Sequence, residues 1–218
     1  MKSWDATYAK GRQINNTVFP EQFLIKYFYD NRFIERYKSV PNPNILDVGA
    51  GFGRNIPLYQ TLSNKIKCID PSEAAIDFLN SNFEVDASTF TPPIIEYDLK
   101  FDLIVACNSI YYLSDDFNFD DYFRNIIALL KGDGLFIFSM LGEDHSVLEK
   151  AVRVGRQNFI LQNRSLKFSD RVGQRVFVPD RLFDLSDYGL SAISVGEIRD
   201  NFDGDIRHLK VYLVEKNE

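Results

Sequence analysis

Cysteine is scarce in this chain: there are two in 218 residues, Cys68 and Cys107, and they are not set in a C-x-x-C pair. That argues against a disulfide framework, a thiolate metal site or redox work, and predicts two inert, packed thiols. Positive charge is in deficit. The 25 Lys and Arg residues against 31 Asp and Glu give a net charge of -6 and a pI near 5.1. A general nucleic-acid binder needs a basic surface, so that class is disfavoured. No apolar run approaches the roughly 20 residues a membrane helix requires, and the N-terminus lacks the apolar stretch of a signal peptide. The expected compartment is therefore the cytoplasm, where the glycosylation triplets at Asn15 and Asn163 carry no meaning. What is present is apolar material for one core, 45% hydrophobic and 14% aromatic. A single domain over 1–218 is expected.

The most informative stretch runs from Asn44 to Asn55. Ile45, Leu46 and Val48 make a short buried strand, and Gly49, Gly51 and Gly53 follow at alternate positions. Residues 54–62 then read as a helix in which Pro57 falls in the first turn. A glycine turn of this kind lets backbone approach a ligand, and free N–H groups at a helix start favour an anionic or carboxylate-bearing cofactor. The dinucleotide fingerprint G-x-G-x-x-G does not fit, because Arg54 stands where its third glycine belongs.

Ile-Leu-Asp-Val-Gly-Ala-Gly-Phe-Gly, residues 45–53, resembles the first motif of class I S-adenosylmethionine-dependent methyltransferases. The resemblance implies that Asp47 helps hold the methionine end of the cofactor and that Gly49, Ala50, Gly51 and Gly53 pass beneath it. The Trp-Asp-x-x-Tyr-x-x-Gly pattern starting at Trp4 and including Tyr8 looks like the N-terminal lid of small-molecule members. Packing of both rings on the following helix is the plain alternative. An amphipathic helix is expected from Pro20 to Tyr37, so that 1–40 forms lid plus helix.

Lys65–Ile69 reads as a second strand ending at Asp70, about 20 residues beyond the glycine turn, where an acid can bind ribose hydroxyls. Asp70, Pro71 and Glu73 also suit a helix start, with Asp70 as N-cap. A third strand is expected at Ile94–Tyr97 and a fourth at Phe101–Ala106. By resemblance, Asp98 would meet the adenine amino group and Leu99 pack on the ring. Asn108 and Ser109 would lie against the cofactor, with Tyr111 and Tyr112 as substrate contacts or simple packing. Asp115, Asp116, Asp120 and Asp121 read as helix-start acids rather than a metal site. Leu129 to Phe138 resembles the family's helix-to-strand junction, with a tight turn at Lys131–Gly134 and a strand over Leu135–Leu141. The tail reads as a helix, Asp180–Leu190, then strands at Ser191–Arg199 and His208–Glu215. The fold expected is α/β, a Rossmann-like, doubly wound, mostly parallel seven-stranded sheet with a C-terminal antiparallel hairpin.

Residues 142–178 form an insertion without strong period. From Lys150 to Arg181, eight basic residues stand against two acids, a local excess of +6 that leaves -12 on the rest of the chain. Attraction of a carboxylate- or phosphate-bearing small molecule is one reading, and a solvated helix with scattered arginines the other. The function expected is methyl transfer from S-adenosyl-L-methionine to an O or N atom of a small molecule, with no nucleic-acid or membrane partner. A sulfonium is already activated, so alignment and exclusion of water suffice. His145 is the better placed histidine for a general base, with Tyr111, Tyr112 or Glu143 as substitutes. The alternatives are an NAD(P)-dependent oxidoreductase and a cofactor-binding module without transfer activity.

Overall fold

The computed structural model describes residues 19–38, 40–92, 97–113, 117–164, 171–179 and 184–217. Trp4, Tyr8, Asp115, Asp116 and most of the strand expected at 94–97 lie outside them.

Two helices, α1 (Gln22–Phe28) and α2 (Asn31–Lys38), replace the single helix expected over 20–37. Asp30 causes the break: its carboxylate accepts from the Arg32 amide at 2.9 Å and pairs with the Arg32 guanidinium, which holds its pKa down at about 2. The bend keeps Phe28 and Phe33 in ring contact, 4.7 Å between centroids.

The chain then enters β1 (Ile45–Val48), α3 (Ile56–Tyr59), β2 (Ile66–Asp70), α4 (Glu73–Asn82), β3 (Asp86–Thr89), β4 (Phe101–Ala106) and β5 (Tyr112–Leu113). α5 (Phe119–Ala128), β6 (Leu130–Leu141), β7 (Val152–Arg153), β8 (Asn158–Ile160) and β9 (Arg175–Phe177) follow, before β10 (Leu190–Phe202) and β11 (Asp205–Lys216) close the fold. The main sheet has the order β10-β11-β6-β4-β1-β2-β3. β3, β2, β1, β4 and β6 run parallel, while β11 runs antiparallel to both of its neighbours, β6 and β10. β1 is buried along its whole length, as a strand covered on both faces must be. The expected seven-stranded sheet and terminal hairpin are found.

Local details differ. The helix after the glycine turn is a single turn with Pro57 in it. Among the described residues the third strand is 86–89, a short, half-exposed edge strand of Asp, Ala, Ser and Thr with no apolar run to announce it. The tight turn at 131–134 is a bulge inside β6, since Phe101 faces Leu130 while Leu103 faces Leu135. The described part of the insertion is not formless: β7, β8 and β9 join β5 in a four-stranded antiparallel sheet, order β5-β9-β8-β7. The tail helix is, in its described part, a 3-10 turn, Leu185–Tyr188, closed by left-handed Gly189.

The core lies between the sheet and its helices. Phe123 of α5 meets Phe138 of β6 at 5.2 Å, and Phe138 stacks on Tyr212 of β11 at 4.6 Å. Because Leu209 pairs with Leu141 at the end of β6, the hairpin tip from 202 to 207 overhangs the carboxyl edge of the sheet.

Candidate active site

The strand order reverses between β1 and β4, with β2 and β3 to one side and β6 to the other. The loops after β1 and β4 therefore flank a crevice at the carboxyl edge, the usual ligand position in open α/β sheets.

The glycine turn is packed rather than open. Gly49 and Ala50 both donate N–H to the Ile69 carbonyl, at 2.7 and 3.1 Å, and Gly53 donates to the Ala50 carbonyl. Gly51 donates to Asp70 Oδ2 at 2.9 Å. These amides are committed inside the fold, so the expected cradle of free N–H groups is not what the turn offers. It offers backbone without side chains. Gly49 has φ +76°, and a Cβ there would come within 2.3 Å of Ser109 Cβ. Ser109 in turn donates its hydroxyl to the Val48 carbonyl at 2.6 Å, which pins the loop after β4 to the end of β1.

Asp70 is 2% exposed and accepts from the Gly51 and Ser72 amides. It is not the helix cap: Ser72 is, accepting from Ala75 N–H. Its carboxylate thus ties the end of β2 to the glycine turn. Pro71 lies next to it, half-buried.

Asp47, 1% exposed, is the strained member of the site. Its Oδ2 and the Tyr59 hydroxyl make no hydrogen bond of ordinary geometry, yet Tyr59 lies close enough to hold the Asp47 carboxyl down in part. Burial, with a smaller contribution from Asp70, pushes the Asp47 carboxyl up to about 7. A buried carboxylate oxygen without a well-formed hydrogen bond fits a cation such as the ammonium of an amino-acid headgroup.

The loop after β4 carries Asn108 in a left-handed conformation, φ +55°. Its amide donates to Ser139 Oγ at 2.8 Å, and its side-chain amide donates to Glu21 Oε1 at 2.9 Å. Glu21 was invisible as a site residue, since one acid before a helix reads as solvated. It is buried, pairs with Arg54 at 2.7 Å, pairs also with Arg207 of the hairpin, and donates its backbone N–H to Asn55 Oδ1. Only the misfit of Arg54 to the dinucleotide fingerprint hinted at this cluster.

Tyr111 and Tyr112 lie side by side, ring centroids 4.7 Å apart, and Arg171 donates to the Tyr112 hydroxyl at 2.7 Å. Burial raises both phenols, so both stay protonated at neutral pH and can donate but not abstract a proton. His145 caps the short 3-10 turn at Ser146–Leu148, its Nδ1 accepting from Val147 N–H at 3.1 Å. Glu143 pairs with Lys210 at 3.0 Å, and its pKa is lowered by backbone and Lys210 hydrogen bonds. Burial pushes both cysteine thiols up, as befits inert packing.

Asp98 and Leu99 are not brought to this crevice. They precede β4, so they lie at the amino edge, where Leu99 lines a concavity of about 520 Å³ with Asn44, Lys65 and Phe101. The chain has already crossed the sheet by then. Phe90, next after β3, occupies the carboxyl edge instead and stacks on Tyr122 at 6.3 Å.

Residues 25–175, more than half of the chain, match the family profile described as a methyltransferase domain. The sequence matches none of the curated proteins with which it was compared. Among solved structures, the fold is similar to 1,6-didemethyltoxoflavin-N1-methyltransferase of Burkholderia thailandensis, crystallised with 1,6-didemethyltoxoflavin and S-adenosylhomocysteine, at 15% identity and TM-score 0.63 over 100% of this chain and 87% of that one. A SAM-dependent methyltransferase of Methanosarcina mazei gives 13% and 0.66, covering 91% and 99%. The N-methyltransferase NodS of Bradyrhizobium japonicum, in complex with S-adenosylhomocysteine, gives 12% and 0.61, covering 99% and 100%. With a motif-bearing glycine turn tied to Asp70 and a profile match spanning the crevice, the chain belongs to the methyltransferase-domain family and is a class I S-adenosylmethionine-dependent methyltransferase.

Proposed function

We propose that the protein methylates an O or N atom of a small molecule bearing a carboxylate or phosphate. The observation that carries this reading is the closure of Asp70 onto the Gly51 and Ser72 amides. It sets an oriented carboxyl group at the position along the second strand where ribose hydroxyls are received in open α/β folds. When bound, S-adenosylmethionine supplies a methyl group on a sulfonium that is already activated toward nucleophiles.

The protein's share is alignment. Asp47 would receive the ammonium of the methionine end, Asp70 with Pro71 beside it the ribose, and Gly49, Ala50, Gly51 and Gly53 would let the ligand lie on bare backbone. Asn108 and Ser109 would hold the opposite wall. Phe90 and Tyr122, rather than Leu99, supply aromatic surface beyond β3. Trp4 and Tyr8 would close over the top, with 1–40 acting as lid and helix and 142–178 as the acceptor-side insertion of one domain. A cytoplasmic location suits this chemistry; among the described residues no helix is long and apolar enough to cross a membrane.

On the acceptor side, Tyr111 and Tyr112 are protonated donors that orient an acceptor. His145 is occupied as a helix cap and Glu143 by Lys210. The acceptor atom is therefore one that is nucleophilic without a protein base, an amine or ring nitrogen or a carboxylate oxygen. Two of the similar structures are described as an N1-methyltransferase of 1,6-didemethyltoxoflavin and an N-methyltransferase, in keeping with that choice.

Calorimetry with S-adenosylhomocysteine tests the reading. Wild type should bind and Asp70→Ala should not, while NAD should bind neither. Binding of NAD in place of S-adenosylhomocysteine would refute it.

A further inference from the structure

The Glu21 cluster is more elaborate than a helix start needs. Its carboxylate is 3% exposed and sits between the guanidinium groups of Arg54, from the turn after β1, and Arg207, from the overhanging hairpin. One acid between two arginines leaves a local charge of +1. The arginines are not buried with it: Arg54 is 42% and Arg207 34% exposed at the side chain. Arg54 spends Nη1 on Glu21 and Nε on the Phe19 carbonyl at 3.0 Å. Arg207 spends Nη2 on Glu21, and its other nitrogens have no protein partner among the described residues. A guanidinium anchored by one edge and open on the other is a preorganised receptor for a planar or tetrahedral anion.

The cluster also borders the crevice. Asn108, in the loop after β4, bonds to the same Glu21 oxygen that Arg54 meets. The Cys107 thiol feels the charges of Asp47, Glu21, Arg54 and Arg207 together. The hairpin bearing Arg207 is held over the edge by Ser146 Oγ, which accepts from the Ile206 amide at 2.6 Å.

We infer that Arg207, anchored by buried Glu21 and seconded by Arg54, forms the anion-recognition site for the carboxylate or phosphate of the methyl acceptor. This rests on the acceptor-side reading above and deepens it. Of the described arginines of the insertion, Arg153 is turned onto the Gly155 carbonyl and over Phe159, and Arg171 onto the Tyr112 hydroxyl. The site is assembled from residues 186 positions apart.

The same chemistry would also suit the carboxylate of the cofactor itself, and the experiment separates the two. Protein saturated with S-adenosylhomocysteine is titrated with succinate and with inorganic phosphate, comparing wild type, Arg207→Gln, Arg207→Lys and the remote control Arg32→Gln. Arg207→Gln should weaken anion binding about tenfold or more, the worth of a lost charge-assisted pair. Arg207→Lys, which keeps the ion pair with Glu21 but loses the fork, should fold normally and still lose several-fold, about 3 to 5. Arg32→Gln should change nothing. Equal anion affinity in wild type and both Arg207 variants overturns the proposal. So does a loss of S-adenosylhomocysteine binding in Arg207→Gln with 5′-methylthioadenosine binding intact, since Arg207 would then read the cofactor's carboxylate. Wild type that binds succinate through Arg207 but not S-adenosylhomocysteine would refute the cofactor assignment while leaving the anion site standing.

Discussion

The two sides of the crevice are built differently. On the cofactor side, contacts close over short chain distances: Gly51 meets Asp70 across 19 residues, and the groups involved are almost wholly buried. On the acceptor side, Glu21 meets Arg207 across 186 residues, and the small sheet of β5, β7, β8 and β9 is half-exposed. The first side is tightly hydrogen-bonded and closed to water. The second presents open charge on an overhanging hairpin and an irregular insertion, where substitutions change specificity at less cost to the fold.

The comparison breaks most sharply at Asp70. Asp70→Ala leaves two buried amides without acceptors, a loss of about 2 to 5 kcal/mol of stability, and should abolish measurable S-adenosylhomocysteine binding by calorimetry. A variant that melts and binds like wild type would mean the cofactor side is not held as described. Gly49→Ala comes next. The added Cβ strikes Ser109 at a φ that disfavours side chains, so thermal unfolding should report a loss of about 2 to 4 kcal/mol. Ser109→Gly in the same chain should recover part of it, whereas no recovery would place the strain in the backbone alone.

Asp47 sharpens the contrast through pH. Its folded-state pKa, about 7, lies above the roughly 4 of an unfolded aspartate. Between those values the native state binds the extra proton, so the stability this group contributes is greatest at low pH and is lost as pH rises toward 7, then levels off. Pairing with an ammonium would reverse the preference and expel that proton. S-adenosylhomocysteine affinity should therefore rise up to about tenfold per unit between pH 5 and 7 and flatten above, with protons released into the buffer. Asp47→Asn should remove the slope; an unchanged slope would assign it elsewhere. The smallest effect belongs to the acceptor side. Tyr112→Phe loses the Arg171 bond and should cost about 1 kcal/mol of stability with cofactor binding untouched. Cofactor affinity falling with it would erase the distinction between the two sides.

Much of the cofactor side was readable because its signals are local. Ile45 to Gly53 announce strand and turn by composition, and the spacing to Asp70 follows from one crossover. Where the chain departs from apolar periodicity, reading failed for physical reasons. β3 is a polar edge strand without an apolar signal, and the chain after it brings Leu99 to the amino edge rather than to the crevice. The insertion's strands are two and three residues long, too short to show a period. Ser72 took the cap because Asp70 was already engaged by Gly51.

By itself the sequence determined the α/β class, the parallel core, the terminal hairpin and the glycine turn, because buried strands must be apolar and a side-chain-free turn must be glycine. Only the tertiary structure decided that the turn's amides face inward, that Asp47 keeps one buried oxygen without a well-formed hydrogen bond, and that Glu21 gathers Arg54 and Arg207. Those depend on which distant groups meet in a space closed to water, where each unpaired charge is costly, and no local pattern encodes such a meeting.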